Sequence, residues 1–197
     1  MRKIIFLDFD GVMDTAFYDH FALKNGLPET DEYGCVFDPN CIMALNEIVK
    51  KTGASIVVSS TWKDFMTMEQ LMKMWEDRCL PGEVIDVTPS ISHHRGDEID
   101  AWLKEYGKPC QYVIIDDMPF SEFNQHHQSH FIMTNGFDGL NDDLAERKAV
   151  VQKSVEDYVE FCKASAGIMP ASWFSSFFEN TQLLLDTNRE SEDGNAV

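Results

Sequence analysis

The chain has 197 residues, enough for one domain with a full hydrophobic core and a small elaboration. An apolar fraction of 44 %, with 12 % aromatics, excludes a disordered chain, and a formal net charge of -18 excludes a broad electrostatic grip on nucleic acid or an anionic membrane. Five cysteines without a CxxC pair, no apolar run of membrane-spanning length and an N-terminal apolar run broken by Asp8 predict a soluble, reduced, cytoplasmic protein.

The first predicted strand covers residues 3–7 and runs into Asp8, Phe9, Asp10 and Gly11. Two acids this close repel each other, and one pKa rises, unless a cation or a reaction intermediate uses them. Residues 12–37 mix Phe17, Tyr18, Phe21 and Tyr33 with Gly26, Pro28 and Gly34 and keep no period, which predicts a loop or flap; long connections of this kind often serve a site. Asp38 as N-cap and Pro39 at the first helical position then open a helix. Ile42, Leu45, Ile48 and Val49 share one of its faces, and Gly53 closes it.

A second buried strand, residues 54–58, ends in Ser59, Ser60 and Thr61. Thr67 and Gln70 predict a capping box for a helix whose apolar side carries Leu71, Met72, Met74 and Trp75, stopped by Pro81 and Gly82. A short strand is expected at 84–87. The next helix covers about 96–106, with Ile99, Trp102 and Leu103 inward and Gly107 as its stop. Arg95 stands at its start, where a cation opposes the helix dipole, so its position points to an anion that both can bind. Residues 112–115 form a strong strand that ends in Asp116 and Asp117, and 130–133 a weaker one.

A long helix is expected from 141 to about 164, completing a catalytic domain over residues 1–164. An amphipathic, aromatic helical extension at 165–185 and an acidic tail at 186–197, expected to be disordered, follow. The aromatic segment near Trp173 is expected to pack on its own core, leaving a monomer or weak dimer. The six histidines include His93, His94, His126, His127 and His130, but no Cys-His pairing at ligand spacing accompanies them, and a zinc site is not expected.

Strands that alternate with helices and read as continuous apolar runs describe an α/β fold: a Rossmann-like, three-layer α/β/α arrangement around a central, mainly parallel sheet. Right-handed crossovers gather the strand C-terminal ends along one edge, where such sheets bind ligands. Asp8, Asp10, Ser59, Ser60, Asp116 and Asp117 then share that rim with Arg95. Hard oxygen ligands with room for water suit Mg²⁺, and a lone Mg²⁺ commonly completes its shell with phosphate oxygen. Carboxylates, Mg²⁺, a hydroxyl donor and a guanidinium make a coherent phosphoryl-transfer site.

DFDGV at 8–12, the strand-terminal serine at 59, the Arg95-Gly96 helix start and the Asp116-Asp117 pair together resemble the haloacid dehalogenase (HAD) superfamily of phosphohydrolases. SSTW, LPGEVIDVTPS, RGDEIDAWL and the IIDD strand are further similar to the minimally capped HAD domains of multifunctional RNA-repair proteins. The resemblance implies that Asp8 attacks phosphorus to give an aspartyl-phosphate, while Asp10 protonates the leaving oxygen and later activates water. It implies Mg²⁺ on Asp8, the Asp10 backbone carbonyl and Asp116, with Asp117 ligating through water or orienting the shell. Ser59, or its neighbour Ser60, would hydrogen-bond the phosphoryl group, and Arg95, in place of the commoner lysine, would balance its charge.

The expected substrate is a phosphomonoester, either a small molecule or a nucleic-acid end, with a slight preference for a nucleotide or polynucleotide end. Two alternatives are a catalytically silent phosphate- or phosphoprotein-binding module and a signalling receiver. The receiver would want its acceptor aspartate on a middle strand and a lysine after a late one, where this chain has Thr134 and Asn135.

Overall fold

The computed structural model describes residues 2–140. The long helix, aromatic extension and acidic tail expected beyond residue 140 lie outside the described residues. A compact unit comprises Met1–Lys24 and Pro28–Asn141, and it holds the sheet and every candidate site residue.

The central sheet has five strands: β1 (Arg2–Leu7), β4 (Ser55–Val58), β5 (Val84–Val87), β6 (Cys110–Asp116) and β7 (Phe131–Met133), in the order β5-β4-β1-β6-β7. Every neighbouring pair is parallel. β1 is central and buried on both faces, as its unbroken apolar run requires. Ile4 and Phe6 on one face pack with Val57, Ile114 and the Ile99 and Trp102 side chains of α4 (Arg95–Tyr106). Ile5 points to the opposite face by strand alternation, and there its neighbour Ile56 lies beside Val49 of α2 (Pro39–Thr52). Helices thus cover both faces of the sheet.

The local signals for these elements act as the sequence implies. The Asp38 carboxylate accepts from the Asn40 amide at 2.8 Å and caps α2, and Gly53 ends it in the left-handed region at φ 64°. Thr67 and Gln70 form a complete capping box on α3 (Met68–Asp77). Gly107, at φ 60°, closes α4.

The segment 12–37 departs from the loop expected of it. It holds a helix, α1 (Ala16–Asn25), and a two-stranded antiparallel hairpin of β2 (Thr30–Asp31) and β3 (Gly34–Cys35). The aromatic and apolar residues of α1 do not fall on one stripe, so the helix leaves no periodic signature in the sequence. Its N-terminus is formed by Thr15, whose hydroxyl accepts from the Tyr18 amide at 3.1 Å and donates to Asp38 at 2.8 Å.

The hairpin is fastened by Arg78, just after α3. Its guanidinium grips Asp31 through Nε at 2.9 Å and Nη2 at 2.6 Å, donates to the Cys35 carbonyl at 2.9 Å and lies over the Phe37 ring. At 2 % exposure Arg78 is among the most buried side chains described. Truncating one partner of such a pair strands the other's charge, which costs about 3–5 kcal/mol. Arg78→Ala is therefore expected to lower stability by about 3 kcal/mol, measured as a shift in the denaturation midpoint. An unchanged midpoint would show that the hairpin is not held by this pair.

Candidate active site

Sheet register builds the site. Leu7 pairs with Val58 on one side and Ile115 on the other, so the next residue of each strand, Asp8, Ser59 and Asp116, emerges at one level of the rim. The pairing continues one step further: the Ser59 amide donates to the Leu7 carbonyl at 2.9 Å and the Asp8 amide to the Ile115 carbonyl at 3.1 Å. All three side chains are buried.

Beyond β1 the chain turns sharply at Gly11, with φ at 70°. A Cβ there would stand 2.1 Å from the Asp117 carboxylate, so only glycine lets the DxDG turn and the Asp116-Asp117 pair approach each other. Thr134, after β7, braces the same turn by donating to the Gly11 carbonyl at 2.9 Å.

Carboxylate oxygens of Asp8, Asp116 and Asp117 all lie within 4.8 Å of one another, an arrangement able to hold a metal ion. Their chemistry fits a hard divalent cation such as Mg²⁺. Burial, then the Asp8 charge, pushes the Asp116 carboxyl up to about 7. Asp117 is also raised, chiefly by burial and then by Asp8 and Asp10. A cation bound among these acids would favour their ionised forms.

Arg95, buried in the first turn of α4, reaches into this cluster. Its Nη1 lies 3.3 Å from Asp8 Oδ1 and 3.5 Å from Asp116 Oδ2, and it donates to the Ser59 carbonyl. Burial opposes its charge, but Asp8 and Asp116 outweigh that and hold its pKa above the usual value. Lys63 and Glu98, paired at 2.9 Å and buried, extend the network behind it. Gly96 permits this placement, since a Cβ on it would meet the Asn124 amide nitrogen at 2.6 Å.

The two serines part company. Ser60 Oγ accepts from the Trp62 amide at 3.4 Å and caps the 3-10 turn Thr61–Asp64. Ser59 Oγ, fully buried, has no hydrogen-bond partner among the described residues, and Thr88 Oγ1 at the end of β5 is in the same position. A buried hydroxyl left without a partner costs free energy unless a ligand supplies one.

Asp10 reaches the solvent edge of the rim. Burial raises its pKa, a hydrogen bond from the Trp62 indole opposes this, and the Asp8 charge adds to the rise. That indole Nε1–H donates to Asp10 Oδ1 at 3.0 Å. Trp62 is held in turn against Phe9 and Phe37, with ring centres 5.5 and 5.6 Å away. Nothing in the chain order signals this contact, because the three rings come from separate segments. Asp14, one turn further on, is likewise pushed up to about 6 by burial, against a hydrogen bond from the Cys35 thiol.

A family model described as the HAD domain in Swiss Army Knife RNA repair proteins matches residues 4–145. The chain belongs to this HAD family. Comparison of this HAD domain with curated proteins and with solved structures gives no significant match. Membership accounts for the five-stranded Rossmann-like sheet, and the HAD superfamily is one of hydrolases and phosphatases. No helix among its described residues is long and apolar enough to cross a membrane.

Proposed function

We propose that this HAD domain is a Mg²⁺-dependent phosphomonoesterase that works through an aspartyl-phosphate on Asp8. What supports it most directly is the buried, unpartnered Ser59 hydroxyl, which shares its rim level with Asp8 and has Arg95 beside it. A phosphoryl oxygen supplies the missing partner of Ser59, and the guanidinium balances its charge.

In the first half-reaction an Asp8 carboxylate oxygen attacks phosphorus, the bond from phosphorus to the leaving oxygen breaks, and Asp10 donates its proton to that oxygen. In the second, Asp10 takes a proton from water as the water oxygen attacks phosphorus. Phosphate leaves and the Asp8 carboxylate is regenerated. The raised pKa of Asp10 matches a group that must start protonated. Asp8 and Asp116, with the Asp10 backbone carbonyl, would hold Mg²⁺, and Asp117 would act through water or orient the shell. The ion would supply charge neutralisation on the phosphoryl oxygens.

The family and the small cap favour an RNA or nucleotide end as the phosphate carrier. The net charge of -18 confines recognition to the terminal phosphate and a nucleotide or so beside it. The test is phosphate release with Mg²⁺ from small phosphomonoesters and from oligonucleotides phosphorylated at the 5′ or 3′ end. Turnover of an oligonucleotide end above the small esters is expected. Phosphate binding without release from any substrate would establish the silent module instead.

Trp62→Phe keeps a ring against Phe9 and Phe37 but removes the donor to Asp10. With that lowering bond gone, Asp10 should titrate at higher pH. The pH profile should therefore shift upward on the limb governed by Asp10, with kcat falling about tenfold as the acid loses its orientation. An unshifted profile would show that the indole does not govern Asp10.

A further inference from the structure

Away from the phosphate site, His126 and His127 lie on the 3-10 segment Gln125–His130 and face Asp100 on α4. Asp100 Oδ1 is 2.8 Å from His126 Nε2 and 3.3 Å from His127 Nε2, and the ligating atoms of the three side chains all lie within 4.8 Å of one another. We propose that Asp100, His126 and His127 form a second metal site, for Zn²⁺, distinct from the acidic rim.

The donor set fits that ion. Two imidazole nitrogens and one carboxylate oxygen suit zinc and not Mg²⁺, which takes oxygen. Ligands bound at the usual zinc distances in a tetrahedron stand about 3.3 Å apart. The His127 pair already has that spacing, and the His126 pair needs to open by about half an ångström. Opening is easy, because His126 is the exposed member while His127 is fully buried.

The supporting groups are also in place. Tyr112 Oη is 2.9 Å from His127 Nδ1, so an Nδ1–H donated to it leaves the Nε2 lone pair for the ion. The Asn124 amide donates to Asp100 Oδ2 at 2.7 Å, which holds the carboxylate by one oxygen and turns the other toward the histidines. A fourth ligand would be water or another group. One further acceptor, the Gly96 carbonyl, lies 3.4 Å from His127 Nε2. Zinc here would clamp the 3-10 segment to the first turns of α4, the helix that carries Arg95.

The test is a titration of the full chain with Zn²⁺ against a chromophoric chelator, for wild type, His126→Ala, Tyr112→Phe and Asp8→Asn, with thermal unfolding in parallel. Wild type and Asp8→Asn should each bind zinc with equal affinity and melt higher when loaded. His126→Ala, an exposed change that the fold tolerates, should weaken binding by more than tenfold and lose the thermal gain, and Tyr112→Phe should weaken it about tenfold. The site does not exist if His126→Ala binds zinc like wild type. It belongs to the phosphate site instead if Asp8→Asn abolishes binding.

Discussion

Asp8→Asn should abolish phosphate release, by on the order of a thousandfold or more, because the amide oxygen cannot form the covalent intermediate. The same substitution should leave the fold intact. It relieves crowding among the acids but takes one partner from Arg95, which keeps Asp116, so the metal-free protein should unfold at a temperature close to that of wild type. Loss of activity together with retained thermal stability would separate a nucleophile from a structural carboxylate. Residual turnover within tenfold of wild type would move the covalent step elsewhere.

Removing Asp116 should act on the ion and on pH at once. In the metal-free protein its carboxyl sits at about 7, far above the usual carboxylate value, because burial and Asp8 both disfavour its charge. A raised acid binds its proton more tightly in the folded state, so the stability it contributes is full below about pH 4 and is lost as pH rises toward 7. Wild type without metal should therefore lose stability over that window. Asp116→Asn, which cannot ionise, should show a flatter profile.

The ion needs the opposite protonation state. Mg²⁺ competes with the proton on Asp116, so its affinity should climb as pH rises from 5 to 8, and added Mg²⁺ should restore the stability lost at neutral pH. Asp116→Asn should weaken Mg²⁺ binding by at least tenfold and remove the pH dependence that this carboxyl imposes. Calorimetric titration at several pH values would read both effects. An Mg²⁺ affinity that is constant with pH in wild type would show that the proton and the ion do not share Asp116.

Much of the rim was legible because a parallel sheet turns chain order into geometry. Once Arg2–Leu7, Ser55–Val58 and Cys110–Asp116 are strands of one sheet, the polar residues at their C-terminal ends must meet. Helix boundaries were equally readable where caps carry the signal, as with Asp38, Thr67 and Gly107. The sequence could not rank Ser59 against Ser60, since a serine's partner depends on the turn that follows it. Ser60 is engaged in capping that turn.

Contacts made by converging segments were out of reach. Trp62 meets Asp10 only because Phe9 and Phe37 fix its ring, and Lys63 finds Glu98 across 35 positions. The histidines show the same limit. No cysteine stands at ligand spacing to mark them as a metal site, and the ligand that would complete the set, Asp100, is supplied by α4.

The hydrogen bond from Thr15 to Asp38 bears on how the segment after the DxDG turn is anchored. Asp38 is the N-cap of a core helix and also the acceptor for the residue that starts α1. Its two carboxylate oxygens divide the work, one taking the Asn40 amide and the other the Thr15 hydroxyl. A buried bond of this kind contributes about 0.5–1.5 kcal/mol. One carboxylate thus ties two helix starts to a single post, and α1 is moored to the core and not merely strung between its neighbours in the chain.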